Sequence, residues 1–451
     1  MLQYIGLILG LGLLIVLALR GTNIILASIL SALVVAATNG LNLFDAITDD
    51  FTSGPVGGFT FAGRFFALFV TGAIFGRAMA ESHAAASIAL ALARALGAHR
   101  ALWIVVLACA LLTYGGVLVF VVLFAVYPLG QKLIEEARIP KRLLGAAIGL
   151  GAATFTMTAL PGTPSIHNVI PATALGTDLY AGAWLGITGG ALMFGLGMWY
   201  LEWQRVRAQA SFVAPDVPTD SPVAPEDLPA WGLAIVPIFV VLGIILLPRL
   251  LSLAADASDG SLAGRIAELG RAEPVAWPSF ALIAGTLVCL VLFARLRVSP
   301  LVTFGRGVDD GLLPLINTAA VIGFGSVVTK TAAFTLFAQL MLTLDLPPLL
   351  SLFATVNVLS GLVGSASGGL QIFMSTLAPN FVEMGLDAQV VHRIGAMASG
   401  GLDSLPHCGT VVALFMIMGV KHREAYKDLG VVTVVVPLIA TLATIGLALL
   451  F

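Results

Sequence analysis

The chain has 451 residues, 59% of them hydrophobic and only 10% charged, with a net charge of −2. A soluble globular protein carries roughly 25% charged residues, so this charge cannot cover a water-soluble body of this size. The near-neutral balance provides no basic field for nucleic acid. The three cysteines, Cys109, Cys289 and Cys408, are too few and too scattered for a disulfide framework or a metal site.

Taken in chain order, hydropathy predicts apolar spans over residues 3–19, 23–37, 61–80, 101–128, 143–173, 179–200, 231–247, 276–294, 313–343, 347–378, 390–419 and 430–450. The apolar start lacks a basic flank and a small-residue cleavage site, so it is expected to be a first transmembrane helix and not a signal peptide. Four spans carry breakers: Tyr114-Gly115-Gly116, Leu160 to Ser165, Gly364 to Gly369, and Ser399 to Gly409. A polar, Pro-rich stretch divides the chain into a first transmembrane repeat (1–200), a linker (201–230) and a second repeat (231–451). A surface loop with a short helix is expected near 254–273. Basic clusters at Arg94–Arg100, Lys132–Arg142, Arg205–Arg207, Arg295–Arg306 and Lys421–Lys427 would be cytoplasmic by the positive-inside rule. The sequence leaves open whether all five share one side.

The halves read as related. Gly72 to Arg77 and Gly325 to Lys330 each place a base five residues after a glycine, at an offset of 253. The same offset lays Tyr114-Gly115-Gly116 on Ser367-Gly368-Gly369. Likewise, Arg142 and Arg393 each precede a small-residue run that ends in Leu-Pro. The fold expected is all-α and polytopic, with two inverted structural repeats, broken helices and re-entrant hairpins. Interrupted helices in matching positions point to a transporter's binding site, because unpaired backbone at membrane depth survives only where it is buried or lines a cavity. Half-helix N-termini there would suit an anion.

The candidate substrate-binding residues are those at the breaks. In the first half they are Tyr114, Gly115, Gly116, Pro161, Gly162, Thr163, Ser165, His167 and Asn168. In the second they are Ser367, Gly368, Gly369, Ser404, His407, Gly409 and Thr410. The glycines are expected to let backbone N–H groups approach a ligand. Asp403 and His407 are the candidates for proton coupling, since a carboxylate at membrane depth is costly and histidine titrates near neutral pH. On a helix the two would share a face. Arg77 is expected to pair with Glu81 one turn on. No nucleotide-binding, zinc-protease or serine-hydrolase motif is present, which excludes those enzymes and an ATP-driven pump. No cofactor and no metal are expected. A secondary transporter is the reading these residues support, with an anion channel as the alternative from another class.

Several segments resemble the gluconate permease (GntP) family of carboxylate symporters. They are GAIFGRAMAESHAAA (Gly72–Ala86), LPGTPSIHNVIPA (Leu160–Ala172) and ASGGLDSLPHCGTVVAL (Ala398–Leu414). The last, with SASGGLQIFMSTLAP (Ser365–Pro379) and HREAYKD (His422–Asp428), looks most like the D-3-hydroxybutyrate permease branch. The resemblance implies proton-coupled symport of a short hydroxy-monocarboxylate such as 3-hydroxybutyrate across a bacterial inner membrane, by a homodimer. Gluconate or another small carboxylate, or sodium coupling, are the alternatives within transport.

Overall fold

A computed structural model describes residues 2–97, 100–209, 228–254 and 261–449. Every regular element among them is helical. Two hydrophobic helices lead, α1 (Leu2–Leu19) and α2 (Ile24–Asn39), the second capped by the Asn23 side chain and stopped by Gly40. The first repeat follows as α3 (Gly58–Glu81), α4 (Ala84–Leu96), α5 (Ala101–Tyr114), α6 (Val119–Glu136), α7 (Lys141–Ala153), α8 (Ile166–Leu175) and α9 (Ala183–Gln209). Next come α10 (Val236–Ala254), α11 (Leu262–Ala272) and α12 (Ala276–Leu292). The second repeat contains α13 (Pro300–Thr329), α14 (Ala332–Thr343), α15 (Pro348–Val363), α16 (Ala366–Thr376), α17 (Ala388–Ser399), α18 (Gly409–Met418) and α19 (His422–Ala448).

The order of elements repeats from α3–α9 to α13–α19. The broken-helix pairs agree in detail. Both α8 and α18 have 10 residues and both end on a left-handed glycine, Gly176 and Gly419. Both α9 and α19 have 27 residues. The register differs from the sequence expectation. Gly115 and Gly116 form the turn between α5 and α6, and the matching turn between α15 and α16 is Gly364-Ser365. Ser367-Gly368-Gly369 lie inside α16. Arg77 lies inside α3, whereas Lys330 caps the end of α13 and pairs with Asp50. Arg142 opens α7, whereas Arg393 lies within α17. Abundant glycine produced chance matches a few residues out of step.

Other boundaries also shift. Among the described residues, six helices are long and apolar enough to cross a bilayer, or eight if two bent pairs count as spans. The spans expected at 101–128, 143–173, 347–378 and 390–419 are each two shorter helices. The span expected at 313–343 starts at Pro300 and breaks after Thr329. Helix α4 lies between predicted spans; at 13 residues it is shorter than a bilayer crossing. The expected linker is helical up to Gln209, and residues 210–227 lie outside the described residues. In the surface loop expected near 254–273, α11 is the short helix and 255–260 lie outside the described residues.

Helices α3 and α13 form the tightest crossing. A Cβ on Gly307 would lie 2.7 Å from the Ile74 Cα, and one on Gly311 would lie 3.0 Å from the Phe69 carbonyl oxygen. Two glycines four apart on one helix face let backbones meet where no hydrophobic effect drives helices together. Arg77 then bonds Asp310 across the crossing at 2.6 Å, closer than its expected partner Glu81 at 3.9 Å.

Candidate functional site

Each repeat sets a hairpin turn against a helix break. In the first, the Tyr114 hydroxyl donates to the Pro161 carbonyl at 2.9 Å. Gly116, at φ +97°, packs so closely that a Cβ would lie 2.8 Å from the Pro164 ring. In the second, His407 Nε2 donates to the Gly361 carbonyl at 3.1 Å, and the Leu402 N–H donates to Asn357 Oδ1 at 3.2 Å. Gly364, at φ +64°, lets α15 stop against the His407 ring, 2.7 Å from where a Cβ would stand. Only glycine tolerates both that φ and that closeness.

The breaks themselves are tied down by side chains. Ser165 caps α8, accepting from the His167 N–H, and its hydroxyl donates to the Met157 carbonyl at 2.8 Å. Asn168 donates to the Leu160 and Thr163 carbonyls at 3.1 and 3.2 Å. In the second break the Tyr426 hydroxyl donates to the Ser404 carbonyl at 3.1 Å, and His422 Nε2 donates to the Pro406 carbonyl at 3.0 Å. Unwound backbone thus recovers the partners it lost.

A cavity of about 1300 Å³ reaches the second repeat's turn and break. There it is lined by Gly364, Ser365, His407, Gly409 and Thr410, and by Leu118 from the first hairpin. The N-termini of two half-helices meet there. Ser365 caps α16 through the Gly368 N–H, whereas α18 begins at Cys408 with no side-chain cap. Elsewhere the cavity is lined by Arg77, Arg94, Lys132, Glu136 and Asp309.

Of the predicted substrate-binding residues, His407, Gly409 and Thr410 line this cavity. Tyr114, Gly115, Gly116, Pro161, Gly162, Thr163, Ser165, His167, Asn168, Ser367, Gly368, Gly369 and Ser404 do not line it. The four glycines correct the expectation of free N–H groups. Gly115 and Gly116 donate to Leu111 and Thr113, and Gly368 and Gly369 to the Ser365 side chain and carbonyl. Hairpin closure consumes these donors. Within the first break, Thr163 Oγ1 and His167 Nε2 are buried without a hydrogen-bond partner.

Asp403 and His407 do not share a helical face. A 3-10 turn over Leu402–Ser404 and an extended Leu405 separate them. Asp403 is buried and accepts from the Ser404 hydroxyl at 3.1 Å, whereas His407 turns to Gly361. Pro406 prevents a continuous helix, because it has no N–H to donate.

Several basic residues pair with carboxylates or line the cavity. The buried Asp428 of α19 pairs with Arg142 and accepts from Tyr200 of α9 at 2.8 Å. Lys132, Arg94 and Arg77 all line the cavity. Arg77 and Arg306 both reach Glu81, at 3.9 and 3.6 Å.

The most conspicuous omission of the sequence reading is the function of Arg393. It is fully buried and donates to the carbonyls of Ala159, Leu179 and Ala181 and to Asn168 Oδ1. Its signal was available: a base well inside an apolar span is costly enough to demand a reason. Ser365 was also passed over, because the misplaced register favoured Ser367.

A profile described as "GntP family permease" matches residues 2–450. The chain belongs to the GntP permease family. This GntP permease is 36% identical over 461 residues to "Uncharacterized transporter YxjC" of Bacillus subtilis (strain 168), covering 96% of each chain. Its fold is similar to that of the Alcanivorax borkumensis YdaH transporter, whose crystal structure is described as revealing an unusual topology. That match has a TM-score of 0.50 and 16% identity over 85% of each chain. The chain is thus a multi-pass membrane protein from a family of transporters.

Proposed function

We propose that this GntP permease is a proton-coupled symporter of a short hydroxy-monocarboxylate, such as 3-hydroxybutyrate, in the bacterial inner membrane. The observation that carries the reading is the end of the cavity. Two half-helix N-termini, α16 and α18, meet there beside Ser365, His407 and Thr410. Such ends present unpaired N–H groups and positive dipole ends, which a carboxylate satisfies. The hydroxyls of Ser365 and Thr410 and the free side of His407 offer partners for a substrate hydroxyl. The choice among small carboxylates rests on the likeness of Ala398–Leu414 and Ser365–Pro379 to the hydroxybutyrate branch.

The bases that line the cavity, Arg77, Arg94 and Lys132, support access to it from the cytoplasm. The conformation is then inward-facing. The unpartnered Thr163 Oγ1 and His167 Nε2 belong, in this reading, to the part of the site that opens in the other state, since buried polar groups without partners cost about 1–3 kcal/mol each. The two repeats are proposed to have opposite orientations and the working unit to be a homodimer. Asp403, behind Ser404 at the same break, is the proposed proton carrier.

Counterflow in proteoliposomes tests the reading. Vesicles loaded with unlabelled 3-hydroxybutyrate should accelerate uptake of labelled substrate, and gluconate should compete weakly. Uptake without trans-stimulation would assign the cavity to a channel. Exchange of gluconate in preference to 3-hydroxybutyrate would move the substrate within the family.

A further inference from the structure

Arg393 is fully buried, yet it sits in the second repeat and spends its hydrogen bonds on the first. Its Nε donates to the Ala181 carbonyl at 3.0 Å and one terminal nitrogen to Leu179 at 3.2 Å. The other donates to the Ala159 carbonyl at 3.0 Å and to Asn168 Oδ1 at 2.6 Å. Ala159 ends the helical part before the first break, and Asn168 stands in the first turn after it. One guanidinium therefore bridges the break from end to end. The planar fork suits this task, as a point-like ammonium does not.

The cradle around Arg393 is built for it. A Cβ on Gly182 would lie 2.7 Å from the Arg393 Cβ, and one on Gly186 would lie 2.9 Å from its Cδ. All four acceptors are neutral oxygens. Among the described residues no carboxylate forms an ion pair with Arg393. Asp178, on the turn that supplies Leu179 and Ala181, is committed to Arg249 at 3.0 Å and to the Tyr180 N–H at 2.8 Å. A buried charge without a counter-ion is expensive, and here neutral dipoles stabilise it without cancelling it.

We propose that Arg393 is a positioning residue for the transport site, fixing Asn168 and both sides of the first break while its uncancelled charge biases that site towards an anion. The inference rests on the transport reading above. Asn168 relays the effect. Its oxygen is held by Arg393, which forces its amide N–H groups onto the Leu160 and Thr163 carbonyls and so sets the shape of the loop beside Thr163 and His167.

Asn168→Asp tests the charge, although it also turns the amide that donates to the Leu160 and Thr163 carbonyls into an acceptor. The new carboxylate would face Arg393 at the distance of a tight ion pair, which offsets part of that loss, so the protein should still purify monodisperse. Its charge would cancel that of Arg393. The KM for 3-hydroxybutyrate counterflow should rise about tenfold or more, the size expected for losing a unit charge near a site of intermediate dielectric. Arg393→Lys keeps the charge and loses the fork. It should preserve discrimination between 3-hydroxybutyrate and its uncharged amide in a competition assay, with a higher KM. Arg393→Gln should lose that discrimination. A well-folded Asn168→Asp protein with wild-type KM would overturn the proposal, whatever Arg393→Gln does to folding. The transport reading is judged separately, on wild-type counterflow across the carboxylate panel; its failure would appear there before any variant is made.

Discussion

Single residues decide two separate matters here, coupling and stability. Asp403 is buried at the second break and accepts from the Ser404 hydroxyl, and among the described residues no base forms an ion pair with it. A carrier that moves a proton with an anion needs a group that changes charge between states, and Asp403 is the proposed one. Asp403→Asn should lose accumulation driven by an imposed pH gradient while retaining counterflow, because the amide mimics the protonated acid. Wild-type accumulation in Asp403→Asn vesicles would remove the residue from the mechanism. Because Asp403 and His407 are held apart, His407→Ala should raise the KM, since the imidazole lines the cavity and holds Gly361, and should leave the stoichiometry of proton uptake unchanged. Parallel measurement of substrate and proton flux checks this. Asp428 is different in kind. Its carboxylate joins α7, α9 and α19 through Arg142 and Tyr200. Asp428→Ala leaves Arg142 and Tyr200 without their shared acceptor and should cost about 1–3 kcal/mol, seen as a lower melting temperature in detergent.

At the level of elements, small residues set how the hairpins close. A Cβ on Gly369 would lie 2.4 Å from the backbone N and Cα of Ser360, so α16 and α15 touch main chain to main chain. Gly369→Val should therefore separate the hairpin limbs and lower thermal stability and yield, by about 1–3 kcal/mol or more for overpacking. A Gly369→Val protein with wild-type melting behaviour and lost binding would instead favour a direct role at the ligand. The sequence located this hairpin from its glycines and serines but misread their use. A glycine that faces a ligand and one that faces a neighbouring helix look the same in a sequence, since both are defined by what the missing side chain leaves room for.

For the whole molecule, the proposed inward-facing state makes a test of access. In a cysteine-free background, Thr410→Cys and Ser365→Cys should react with a membrane-impermeant thiol reagent from the cytoplasmic side of oriented vesicles. Thr163→Cys, 0% exposed in the parent residue, should not. Labelling of Thr163→Cys from the cytoplasmic side, with Thr410→Cys protected, would reverse the assignment of access.

Composition alone determined that this is a membrane protein, because 10% charged residues leave nothing else for the surface to face. Breakers inside apolar runs determined where helices stop, because proline and left-handed glycine act locally: Pro161, Pro406 and Gly364 all mark observed ends. Tertiary structure decided the rest. The true register of the repeat emerged from helix ends and not from glycine matches. Arg77 found Asp310 on a distant helix in preference to Glu81 on its own. Arg393 reached across the repeats to the first break, and Asp403 and His407 were parted by one proline. Each of these is a contact between segments far apart in the chain, whose energy depends on a distance and an orientation that no local pattern encodes.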